Sequence, residues 1–179
     1  MRSNVQDNVE LNTRVGLWSS TAGESLPVEI AAQAGVAWNM QVFEEEGAED
    51  NEMQAYGQLV LTTLLGDRVA VGVVPSYLYN PRILDLDEES AFALGLLGQF
   101  YATGSMSLFL EWLVSEERPD QEKDPATFGI ELETRGHFFK LLLTNQARLN
   151  PTQYLGGTPT AFEADEWRFG FNIQRLLPF

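Results

Sequence analysis

Hydrophobic and polar residues alternate with a period of two along most of this chain. In VELNTRVGLW (9–18), Val9, Leu11, Thr13, Val15 and Leu17 fall on one side of an extended strand, with Glu10, Asn12 and Arg14 on the other. PVEIAAQAGVAW (27–38) sets Val28, Ile30, Ala32, Ala34, Val36 and Trp38 against Glu29, Gln33 and small residues. The alternation continues through 54–63, 68–77, 90–101, 106–114, 127–134 and 137–145. It closes in EWRFGFNIQRLLPF (166–179), where Trp167, Phe169, Phe171 and Ile173 oppose Arg168, Gly170, Asn172 and Gln174. The pattern predicts about nine strands and no amphipathic helix. At roughly eight to twelve residues each, they are long against the usual five or six.

Residues 91–114, AFALGLLGQFYATGSMSLFLEWLV, are apolar enough to suggest a membrane-crossing helix. Gly95, Gly98 and the turn-forming run Ala102-Thr103-Gly104-Ser105 instead divide the stretch into two strands.

The connections decide the class. Short links (Gly66-Asp67, Thr103-Gly104-Ser105, Arg135-Gly136) alternate with long polar ones such as NPRILDLDEE, SEERPDQEKD and QARLNPTQYLGGTPTAFEADE. Outer-membrane barrels sort their connections in this way, with short periplasmic turns and longer extracellular loops. A soluble sandwich has no reason to do so, and strands so uniformly apolar on one face would need a second layer to cover them. The expected fold is therefore an all-β, antiparallel, up-and-down transmembrane β-barrel in the bacterial outer membrane. Trp18, Trp38, Tyr77, Tyr79, Tyr101, Trp112 and Trp167 lie near strand ends, where interfacial aromatic girdles belong. Phe179 would end the last strand at the periplasmic interface, as a signal to the barrel-assembly machinery.

Nine strands is an odd number, and bacterial single-chain barrels have an even one. The expectation is a single domain over 1–179, with 1–8 a loop remnant and 9–179 the C-terminal strands of a barrel of about ten to twelve. On that view Val9–Trp18 and Trp167–Gln174 are both open edges.

Composition narrows the function. A net charge of −15, from 11 basic and 26 acidic residues, opposes phosphate contacts and argues against nucleic-acid binding. The absence of cysteine excludes disulfides and thiolate metal sites. MRSNVQDN lacks the apolar core of a secretory signal.

GDRVAVGVVPSY (66–77), FGIELETRGHFFKLLLTN (128–145) and WRFGFNIQR (167–175) resemble the blocks of a bacterial family of β-barrel proteins of unknown function, with a Gly-His-x-Phe hairpin and a closing Gly-Phe-Asn-x-x-Arg strand. The resemblance implies an outer-membrane barrel and carries over no catalytic or binding residues. Family members have further strands and a signal sequence ahead of the point where this chain begins.

The charges expected to face the lumen are Glu10, Arg14, Glu29, Glu111, Glu131, Glu133, Lys140 and Arg168. Glu131 and Glu133 share a face, with Lys140 and Arg168 on later strands as pairing candidates. Such residues either form a satisfied, salt-bridged plug or line a wet conduit, here one preferring cations. His137 is the one histidine, and it sits beside the Arg135-Gly136 turn, at the end opposite the rim where outer-membrane hydrolases work. A turn role for it, no enzyme activity, and no metal or cofactor are expected. The acidic loops 44–50, 85–89 and 116–124 match no calcium-loop spacing and suggest solvated surface or divalent-cation bridging to lipopolysaccharide. The expected function is a porin-like passive conduit or carrier site for small solutes. The alternatives are a structural or partner-binding barrel with a plugged lumen and, third, a soluble ligand-binding barrel.

Overall fold

A computed structural model describes residues 8–20, 27–39, 53–81, 90–115, 123–148, 150–163 and 165–175. All nine alternating segments are strands: β1 (Asn8–Ser19), β2 (Val28–Asn39), β3 (Met53–Leu65), β4 (Val69–Tyr79), β5 (Ser90–Tyr101), β6 (Met106–Ser115), β7 (Ala126–Thr134), β8 (His137–Thr144) and β9 (Arg168–Arg175). They form one antiparallel sheet in chain order, so every pairing joins sequence neighbours. β1 and β9 are its two edges, and among the described residues no ladder joins them. The apolar stretch 91–114 is the β5–β6 hairpin, and no helix among the described residues is long and apolar enough to cross a membrane.

Register carries the sequence alternation across the sheet. Leu11↔Val36, Ile30↔Leu61, Leu61↔Val73, Leu108↔Ile130, Ile130↔Leu141 and Leu141↔Phe171 all lie on one face, here the outer. That face is open: Leu11 is 75% exposed and Phe169 72%, and Val15, Leu108, Leu110, Leu132 and Phe171 are exposed with them. Ile30, expected in the same group, is half-buried. The opposite, inner face carries the short buried side chains Ala37, Ser76, Ala91, Ala93 and Ser107. An outer face of Leu, Val, Ile and Phe over an inner face of small and polar residues inverts the soluble pattern and matches a barrel in lipid.

One local feature breaks the simple alternation, a second interrupts a ladder without shifting its register, and a third departs from the girdle expectation. In β1 the register shifts between Gly16 and Trp18, so that Trp18 pairs with Ile30 on the outer face. The extra residue is Leu17, and period two alone places it correctly but reverses Trp18. In the β3–β4 ladder the pairs stop at Gln58↔Ser76 and resume at Leu61↔Val73. Pro75 has no N–H to offer β3, whereas its pairing to Leu94 on the other side is intact. Tyr101, expected in the aromatic girdle, instead lies on the inner face, because it pairs with buried Ser107 while Phe100 pairs with exposed Leu108.

The short links use the turn chemistry their length demands. Arg135 and Gly136 both have positive φ (46° and 84°), the requirement of a two-residue hairpin turn that follows strand twist. Gly66 opens the β3–β4 turn at φ 61°.

The sequence-expected long polar loop between β8 and β9 contains a short helix, α1 (Pro151–Leu155). Pro151 sits in its first turn, where a missing N–H costs nothing. α1 packs on the inner face at the long-loop end, where Leu155 joins Tyr56, Leu78, Ala93 and Leu113 in a buried cluster with Tyr154 against it.

The facing of the strands has a direct test. Leu110→Arg, at the middle of the outer face of β6, should lower stability by about 2–4 kcal/mol in urea unfolding from bilayers. Ser107→Ala, on the inner face of the same strand, should fall well short of that. Equal effects would mean that the outer face does not meet lipid.

Candidate functional site: the inner face and its in-folded segment

The segment between β8 and β9 is tied by hydrogen bonds to the start of β7 and the residues before it, while α1 packs on the inner face through Leu155. Asn145 is its hub and is 0% exposed. Its Oδ1 accepts from the Ala126 N–H at 2.8 Å, and its Nδ2 donates to the carbonyls of Asp124 (3.0 Å) and Thr160 (3.1 Å). Its own carbonyl accepts from the hydroxyls of Thr158 and Thr160. Gln146 Nε2 reaches the Gly157 carbonyl at 3.0 Å, and Thr158 forms a two-way backbone bridge with Lys123. Gly157, at φ 101°, makes the turn between α1 and that bridge. A buried asparagine with this many partners holds a loop in one conformation, since any displacement strands several polar groups at once.

Glu10 joins this segment to the far edge of the sheet. Its Oε2 accepts from the Thr152 backbone N–H (3.1 Å) and hydroxyl (3.0 Å), while Oε1 accepts from Asn12 Nδ2 (3.1 Å). Thr152 lies in the first turn of α1, where backbone N–H groups lack helical partners and a carboxylate is favoured.

Beneath α1 the sheet makes room for one large ring. Gly35 of β2 faces Tyr56 of β3 in register, and a Cβ on Gly35 would lie 2.5 Å from Tyr56 Cε1. The Tyr56 hydroxyl accepts from Gln33 Nε2 at 3.0 Å. Next to this group a cavity of about 350 Å³ is lined by Arg14, Gln33, Gln58, Glu111, Tyr154 and Leu155, among others. Its walls come from β1 through β6 and from α1, so six consecutive strands curve around one chamber. Burial, with the charge of Glu111 behind it, pushes the Tyr154 phenol well up from its ordinary value, which leaves it a protonated donor at neutral pH.

A second polar group lies nearer the short-turn end. Lys140 Nζ is 3.1 Å from Glu131 Oε2 and 5.2 Å from the centroid of the Phe109 ring. Gln99 Nε2 bridges Ser107 Oγ (2.7 Å) and Glu131 Oε1 (3.1 Å), linking β5, β6 and β7.

The structure therefore divides the eight sequence-selected charges into groups. Glu10 is structural, Glu131 and Lys140 form an ion pair, and Arg14 and Glu111 line the cavity. Glu29 and Glu133 are exposed. Arg168, the other candidate partner of Glu131 and Glu133, is opposite Thr144, whereas Lys140 is opposite Asn172. Arg168 thus stands four positions along β9 from the residue facing the ion pair, and it does not complete it. His137 is opposite Thr134 and Arg175 and stacks on Phe139, with ring centroids 6.3 Å apart. Among the described residues no group of three His, Asp or Glu is gathered to hold a metal ion. Phe179 and the acidic runs 44–50 and 85–89 lie outside the described residues, as does 116–122 of the third.

Sequence reasoning missed Asn145, Thr152 and Thr158. The signal available was modest: a polar linker that also contains the apolar pair Tyr154-Leu155 and two adjacent glycines, Gly156-Gly157.

A family model described as "Membrane bound beta barrel domain (DUF5777)" matches residues 1–177. The chain belongs to this family of membrane-bound β-barrel domains. No curated protein and no solved structure matches it. Membership agrees with the exposed outer face and with the meander of long strands, and it makes the inner face the surface shielded from lipid.

Two substitutions test this packing. Gly35→Ala should displace the Tyr56 ring and cost about 1–3 kcal/mol by overpacking, read as a lower unfolding midpoint. Glu10→Ala leaves the Thr152 N–H and hydroxyl without their acceptor. It should make residues 145–160 susceptible to limited proteolysis while the strands stay protected.

Proposed function

We propose that this protein is an outer-membrane β-barrel of a Gram-negative bacterium that serves as a narrow, porin-like conduit or carrier site for small solutes. The observation that carries the reading is the coexistence of an in-folded segment at the long-loop end with a chamber beneath it that a few charged and polar side chains enter. Filling a lumen for structural purposes alone favours satisfied polar networks or dry apolar packing. Here Glu131, Gln99 and Lys140 form such a network, but Arg14 and Glu111 front open volume instead. A carboxylate and a guanidinium at a constriction set which solutes enter and how long they stay.

The second reading, a structural or partner-binding barrel whose lumen is plugged, draws on the same segment. The dense bonding of Asn145 and the clustering of Leu155 with Tyr56, Leu78 and Leu113 are what a permanent plug requires. Neither reading includes catalysis: His137 is on the outer face with Phe139, away from the chamber. The partners proposed are outer-membrane lipid, lipopolysaccharide at the acidic loops, and the assembly machinery at Phe179.

Planar-bilayer recording separates the two readings. The conduit predicts small, discrete conductance events from the native protein, rising several-fold when residues 151–157 are replaced by a Gly/Ser linker. Silence from the native protein with conductance only from the replacement would favour the plug. Silence from both would remove the conduit.

A further inference from the structure

The charges on the inner face are not equivalent. Glu10 is occupied by Thr152 and Asn12, and Glu131 by Lys140 and Gln99. Arg14 and Glu111 are different: among the described residues neither forms an ion pair or hydrogen bond, with the other or with a third residue. Yet both line the same cavity, one from β1 and the other from β6. The strands between them would span about 24 Å in a flat sheet, at ~4.8 Å per strand. Curvature of the sheet, with α1 as a roof, brings the two charges to one chamber without letting them neutralise each other.

The rest of the lining points the same way. Gln33 and Gln58 each donate an amide N–H into the wall, to the Tyr56 hydroxyl (3.0 Å) and to Ser76 Oγ (3.0 Å). Their carbonyl oxygens remain as acceptors. Tyr154 supplies a phenol, and Val60, Val74 and Leu97 supply apolar floor. A pocket at the lower end of the range that holds small molecules, mostly apolar with a few convergent polar groups, has the form of a ligand site rather than of a packing defect.

We propose that this chamber binds a small zwitterion, an amino acid or short peptide, with its carboxylate on Arg14 and its ammonium on Glu111. A guanidinium is suited to a carboxylate because its paired N–H groups match the two oxygens. Glu111, with acceptor oxygens only, is suited to an ammonium, and the Gln33 and Gln58 carbonyls add acceptors for its remaining N–H groups. A simple anion placed in the chamber would meet the charge of Glu111, and a simple cation that of Arg14. A solute carrying both charges at opposite ends satisfies both walls, and the half-buried Glu111 carboxylate gains the partner it otherwise lacks. The proposal rests on the solute-site reading of the lumen and names the substrate class for it.

Calorimetric titration of the full chain in detergent tests the assignment, with diglycine, γ-aminobutyrate and glycine as probes. Their single-charge counterparts, N-acetylglycine and ethylamine, are the controls. At least one zwitterion should bind saturably and at least ten-fold more tightly than either control. Glu111→Gln should abolish the preference for diglycine over N-acetylglycine, and Arg14→Gln the preference for γ-aminobutyrate over ethylamine. Retention of the folded, heat-modifiable gel mobility shows that a variant is still a barrel, and where one is not, the native protein's discrimination between probes and controls decides alone. Equal binding of zwitterions and controls, no binding of any zwitterion, or unchanged preferences in folded variants would overturn the proposal. Conductance without zwitterion binding would refute this assignment and leave the conduit standing, whereas binding without conductance would refute the conduit alone.

Discussion

Lipid offers no hydrogen bonds, and this one constraint governs the sheet. Each backbone N–H and C=O within the apolar band must be met by a neighbouring strand. The nine strands meet it by pairing in chain order, each antiparallel to the one before. Once pairing is fixed, the pleat sends alternate side chains to opposite faces, and the whole distribution of Leu, Val and Phe against Ala, Ser and Gln follows. The departures are confined. Pro75 removes one donor toward β3, and the free sides of β1 and β9 hold backbone groups that in a bilayer must be met by another strand.

Curving such a sheet creates a second problem, an interior that lipid cannot fill. The protein meets it differently at its two ends. Toward the long loops, main chain folds back in, with Asn145 in place of an apolar core and Leu155 closing over Tyr56 and Leu78. Toward the short turns, side chains suffice: Glu131, Lys140, Gln99 and Ser107 satisfy one another across four strands, and Phe109 lies under the ammonium. Between these two solutions lies the chamber, the stretch of inner face where polar groups front space rather than each other.

Much of this was legible in the residues, for a physical reason. A strand with one face in lipid writes its orientation into every second position, so the nine strands and their faces could be read directly. The exceptions have local causes. The bulge at Leu17 adds one residue without changing composition, and this hides the turning of Trp18. Tyr101 ends a strand beside an equally aromatic Phe100, and the girdle expectation rested on its place at the strand end, whereas the alternation sets it with Gln99 on the inner face. The in-folded segment was the largest omission. Polar residues that bond to backbone, such as Asn145 and Thr158, have the same one-letter signature whether they face water or form the hub of a buried network. Within the candidate site, type and face of the charges were readable. That Glu131 takes Lys140 and leaves Arg168 aside depends on register, which only the ladder reveals.

The Glu10–Thr152 contact has a consequence for the order of events in folding. Every strand pairing joins neighbours in sequence, so the sheet can zip hairpin by hairpin with small loops to close at each step. The contact between Glu10 and Thr152 spans 142 residues, and its geometry exists only after β1 through β8 have assembled and curved. The docking of α1 against β1 therefore follows the assembly of the sheet, while the Asn145 network, whose partners lie within about 20 residues, can form as soon as β7 and β8 have paired.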